Sequence, residues 1–93
     1  MTKEEKDRIQ EAKRAEAAEN GRQYAVERFG LADDEVVWYN GGICYGRVIV
    51  TTREAAEKVA EQVKGRYVNG GWLHGMELGG IIEDSKGRFD VMV

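Results

Sequence analysis

Residues Arg47 to Gly65 constrain this chain most, because they describe a strand that runs through a capping signal into a helix. Val48, Ile49 and Val50 are three β-branched residues in succession, which favours extended backbone. Thr51-Thr52-Arg53-Glu54 then fits the capping box, in which a threonine and a glutamate three residues later satisfy each other's free backbone N–H groups. Ala55, Ala56, Val59, Ala60 and Val63 recur at helical spacing, with Glu54, Glu57, Lys58, Glu61 and Lys64 on the other side and Gly65 where a left-handed cap is wanted. A helix with one apolar and one wet face needs a sheet to cover, and the remaining segments are expected to supply it.

The flanking segments carry hairpin signals. Val36 to Tyr39 and Gly42 to Val50 bracket Asn40-Gly41, the pair that tolerates positive φ in a type I′ turn. With those two residues as the loop, Trp38 faces Ile43 and Val36 faces Tyr45. One side then collects Val37, Tyr39, Cys44, Val48 and Val50, and the other Val36, Trp38, Ile43, Tyr45, Arg47 and Ile49. A second hairpin is expected from Met76–Glu83 and Arg88–Val93 around Asp84-Ser85-Lys86-Gly87. The glycine suits a type I turn with a bulge, setting Glu83 opposite Arg88. Leu78, Ile82, Phe89, Val91 and Val93 then form the core side, while Ile81, Asp90 and Met92 face away.

The first 29 residues read as helix, opened by a second capping box from Thr2 and Glu5 and ended by Gly30. From Thr2 to Glu19 the only large apolar residue is Ile9, so packing contributes little there; Asn20-Gly21 is expected to break or kink the helix before Tyr24, Ala25 and Phe29 anchor it. The expectation is one α+β domain over residues 1–93, a helical segment at 2–29 and a ββαββ core at 35–93. In αββαββ order, an antiparallel sheet of about four strands packs on the central helix.

Composition limits function. The net charge of −3 argues against direct nucleic-acid binding, which needs a basic surface. The single cysteine excludes an internal disulfide and fits a reducing cytoplasm, and no run of 18 apolar residues suggests a membrane span. No nucleotide-binding glycine fingerprint precedes a helix, and nothing calls for a cofactor or metal. Cys44 and His74 are the sole candidates for a thiolate–imidazole pair, and their spacing carries no signature. Two segments, Asn40 to Gly46 and Asn69 to Gly75, share the pattern Asn-Gly-Gly-x-x-x-Gly, a match that a chain with 12 glycines can produce without duplication.

The bland reading of solvated charge and turn glycines accounts least well for Trp38, Tyr45, Tyr67 and Trp72 beside Arg47 and Arg66, since Trp, Tyr and Arg dominate binding hot spots. A sheet covered on one side leaves the other for a partner. In size, acidity and αββαββ order the chain resembles the small anti-CRISPR inhibitors of phages and mobile elements. The resemblance is architectural and carries no residue motif. It implies a non-enzymatic protein in the host cytoplasm that blocks a CRISPR effector, a larger protein or ribonucleoprotein, by surface contact or by acidic competition with DNA. Trp38, Tyr45, Arg47 and Trp72 are the candidate contact residues, with Asp33, Asp34 and Glu35 as the competing charge. A toxin-neutralising immunity protein or a homodimeric scaffold would use the same sheet face, and a small-ligand or enzymatic role would centre on Cys44 and His74.

Overall fold

The computed structural model describes residues 2–93 and has the α+β architecture expected. Helix α1 (Lys3–Phe29) is followed by a short 3₁₀ turn (Asp33–Glu35), strands β1 (Val36–Gly41) and β2 (Gly46–Val50), helix α2 (Arg53–Val63), and strands β3 (Ile81–Glu83) and β4 (Phe89–Met92). The four strands form one antiparallel sheet in the order β1-β2-β4-β3.

The core lies between one face of this sheet and both helices. Ala55, Ala56, Val59 and Val63 of α2 and Ala25 and Phe29 of α1 pack with Val36, Val48, Val50, Phe89 and Val91. The apolar stripe of α2 thus does what its spacing requires. Its cap is Thr52 rather than Thr51: the Thr52 side chain accepts from the Ala55 N–H at 3.1 Å, one residue later than the Thr51/Glu54 box would place it. From α2, Gln62 donates to the Phe29 carbonyl at 2.8 Å and Lys58 to the Gly30 carbonyl at 2.6 Å. These carbonyls end α1, where an intrahelical partner is lacking and a cation is favoured, so α2 caps α1 as well as packing on it.

Helix α1 runs without interruption through Asn20-Gly21, contrary to the expected break. Gly21 is needed for a different reason: a Cβ there would lie 3.2 Å from the Tyr39 carbonyl oxygen, so the glycine lets the helix approach the backbone of β1. The Thr2/Glu5 capping box forms, and Gly30 takes the left-handed C-cap conformation at φ 66°. Residues 2–20 are exposed throughout, so the polar half of α1 projects from the body.

The first hairpin departs from the expected register. Pairing continues through Asn40↔Arg47 and Gly41↔Gly46, and the loop is Gly42–Tyr45, so Ile43 and Tyr45 are loop residues rather than partners of Trp38 and Val36. Neither Asn40 nor Gly41 adopts the positive φ of a type I′ turn. Gly42 closes the loop, at a position where a Cβ would collide with the Tyr45 carbonyl oxygen. A bulge between Val36 and Trp38 inverts the expected faces at the start of β1, burying Val36 and exposing Val37.

The second hairpin is shorter than expected. Residues 66–78 form their own ladder, with Tyr67 bridged to Glu77 and the Val68 N–H donating to the Met76 carbonyl at 2.8 Å. Only Ile81–Glu83 pairs as a strand with β4, where Glu83 faces Phe89. Arg88 pairs with Asp84 instead of Glu83, its Nε 3.1 Å from Oδ2. Ile81 packs on the core and Ile82 is exposed, the reverse of the expected parity, because the pairing register is shifted by one residue.

Candidate functional site

The two glycine-rich loops, 42–45 and 70–73, lie against each other at one end of the sheet. The contact is between Cys44 and the backbone of the second loop: a Cβ built at Gly71 would be 3.2 Å from the Cys44 Sγ, and one at Gly70 3.5 Å. The similar segments 40–46 and 69–75 therefore meet as facing walls. The fourth residue of each, Ile43 and Trp72, is fully exposed at its loop tip.

Between and beside these walls is an open cleft of about 530 Å³, lined by Trp38, Tyr45, Arg47, Cys44, Trp72 and Leu73 among others. Each lining side chain arrives by a different local rule. Trp38 and Arg47 point out of the uncovered sheet face because their neighbours Tyr39 and Val48 point toward the helices. Tyr45 leads into β2, and Trp72 is carried by a loop held from within, where the Gly70 N–H donates to Nδ1 of His74 at 2.7 Å. That bond leaves Nδ1 as an acceptor without a proton. No hydrogen bond joins His74 to Cys44 among the described residues.

Arg47 also borders a shallower hollow of about 460 Å³ on the sheet face, with Val37, Trp38, Ile49, Arg88 and Asp90. Cleft and sheet face are one continuous surface through Trp38 and Arg47. The Arg47 guanidinium donates through Nε and Nη2 to the Asp90 carboxylate, and these hydrogen bonds raise its pKa above the usual arginine value.

The four candidate contact residues Trp38, Tyr45, Arg47 and Trp72 are thus brought together, although 34 positions separate the first from the last in the chain. The acidic candidates are elsewhere and mostly occupied. Asp33 accepts from Arg22 at 2.8 Å and from Gln23 at 2.9 Å, while the Glu35 carboxylate accepts the Ala32 N–H at 2.8 Å. Asp34 is exposed and has no side-chain partner among the described residues. Ile43 and Asp90, which the sequence places on outward faces but not among the candidate contact residues, are also part of this surface. The shared glycine pattern was the signal for Ile43, since it aligns Ile43 with Trp72. For Asp90 the signal was absent, because its pairing depends on the β2–β4 register.

Among the described residues, no helix is long and apolar enough to cross a membrane, and no three His, Cys, Asp or Glu side chains cluster as metal ligands. No protein-family model, curated protein or solved structure matches the chain.

Proposed function

We propose that this protein is a non-enzymatic inhibitor that occupies a surface on a larger protein or ribonucleoprotein, as anti-CRISPR proteins do on CRISPR effectors, and that its contact surface is the cleft between the two glycine loops. The observation that carries the reading is the paired exposure of Ile43 and Trp72 at the tips of two loops that pack on each other. Two large apolar side chains placed fully in water, beside Trp38 and Arg47, have the composition of a binding hot spot. Loops tied to each other and to the sheet present these groups with little ordering left to do on binding, which favours affinity. Asp33 and Glu35 serve the protein's own structure, so contact rather than acidic competition with DNA is the better supported mode.

The test is a panel of purified CRISPR effector complexes mixed with the protein and with a Trp38→Ala/Trp72→Ala variant whose thermal unfolding matches the parent. One complex should bind and be inhibited by the parent. Truncating a hot-spot aromatic costs about 2 kcal/mol or more, so the variant should bind roughly thirtyfold more weakly or worse. If no complex binds and the parent is a dimer that the variant abolishes, the surface serves self-association and the inhibitor reading fails.

A further inference from the structure

The charge around the cleft differs from that of the chain as a whole. The net charge is −3, yet no Asp or Glu occurs from Val36 to Arg53 or from Gln62 to Met76, the two stretches that fold into the cleft walls. Among the described residues, Arg47 is the only charged one lining the cleft. Its side chain is 54% exposed while that of Asp90, its diagonal ion-pair partner on the neighbouring strand β4, is only 14% exposed. Asp90 therefore holds the guanidinium from below using two of its donors, and the remaining N–H groups have no protein partner among the described residues.

A guanidinium oriented in this way, set beside Trp38 and across from Trp72, complements a carboxylate that arrives with a large apolar neighbour. A nucleic-acid strand is a poorer complement. Its phosphates recur along the whole backbone and call for a row of cations, and this cleft offers one. Resting on the reading of the cleft as the contact surface, we infer that its occupant is a short acidic segment of the partner protein. A carboxylate of that segment accepts from the free N–H groups of Arg47, and a neighbouring aromatic or aliphatic side chain packs against Trp38 and Trp72. The carboxylate belongs to an Asp or Glu side chain of that segment.

The experiment is selection of a randomised displayed peptide library on the immobilised full chain, counter-selected against the folded Trp38→Ala/Trp72→Ala variant. Enrichment of Asp or Glu next to Trp, Phe, Leu or Ile is expected. A synthetic peptide from the pool should weaken at least about tenfold when its carboxylates are made amides. It should weaken similarly on Arg47→Gln, while the amide peptide binds parent and Arg47→Gln alike. Arg47→Lys keeps a cation on Asp90 and should give an intermediate loss. Peptides with both ends blocked should bind as tightly as free ones, and loss of binding on blocking would overturn the assignment to a side-chain carboxylate.

Peptides that depend on the tryptophans but lack carboxylates, or that bind Arg47→Gln undiminished, overturn the inference and leave the cleft as the contact surface. Failure to recover any tryptophan-dependent peptide overturns both. Tighter binding of an oligothymidylate than of any selected peptide, lost on Arg47→Gln, would replace the acidic segment by a nucleic acid.

Discussion

The guanidinium of Arg22 lies 2.8 Å from Asp33 and 2.7 Å from Glu19, joining the last exposed turns of α1 to the turn that leads into β1. It also donates to the carbonyls of Asp33 and Val36, so a single side chain fixes how the helix meets the edge of the sheet. The hydrogen bond from Arg22 holds the Glu19 carboxyl at a pKa of about 2, against 4.5 for a free glutamate, and lowers that of Asp33 as well.

A carboxylate whose pKa is depressed on folding stabilises the folded state above its unfolded pKa and loses that contribution as pH falls through the folded value. The Arg22 cluster should therefore contribute fully at neutral pH, and its contribution should shrink from about pH 4.5 down to about 2. Asp84, lowered by the Arg88 and Lys86 N–H groups, adds to the same trend. Thermal unfolding across this range should show a falling midpoint, with a visibly shallower fall in Arg22→Met. An unchanged slope in Arg22→Met would mean that the cluster is not formed in solution.

The elements legible in the sequence are those whose signals are local. The stripe Ala55, Ala56, Val59 and Val63 fixes α2, and Thr2 with Glu5 fixes the start of α1, because each depends on residues within a few turns. Register was not legible. Asn40-Gly41 has the composition of a two-residue turn, but pairing through Gly41↔Gly46 moves the loop to Gly42–Tyr45, and the bulge at Val37 then exchanges the roles of Val36 and Val37. These outcomes depend on which face meets the helices, a tertiary choice that outweighs turn propensity. The candidate contact residues were legible one by one as aromatics and an arginine. Their convergence depends on loop 70–73 folding back on Cys44, which no local pattern states.

Gly21 separates helix propensity from close approach. Glycine to alanine within a helix normally stabilises by about 1 kcal/mol. Here the added methyl would meet the Tyr39 carbonyl oxygen at 3.2 Å, so the helix must move off β1 to admit it. Gly21→Ala should fall short of the gain from propensity and come out neutral or destabilising in chemical denaturation. Asn20→Ala, one position earlier and exposed, should gain about 0.5 kcal/mol. A full gain at Gly21 would show that α1 does not contact β1 closely.

Gly71 tests the junction of the two loops. Its φ of 71° strains any residue with a Cβ, and a methyl there would press on the Cys44 sulfur at 3.2 Å. Gly71→Ala should cost about 1–3 kcal/mol, most of it from the backbone. Adding Cys44→Ala relieves only the contact, so the double variant should recover a minor part of the loss. Full recovery would show that the cost lies in the sulfur contact and that the backbone at Gly71 is free to change.

The projecting half of α1 should be dispensable for the fold. No residue from 2 to 20 is buried, whereas Ala25 and Phe29 are core, so stability is concentrated in the last turns of the helix. Most helical stability in proteins comes from tertiary packing of one face, and without a buried face this half should open independently of the body. Amide protons of residues 6–16 should therefore exchange far faster than those of residues 24–29. Removal of residues 2–15 should lower the helical circular-dichroism signal while leaving the denaturation free energy within about 0.5 kcal/mol, as surface changes do. A loss above about 1 kcal/mol that grows with protein concentration would indicate that the arm packs on a second copy, and would make it part of an interface instead of a free helix.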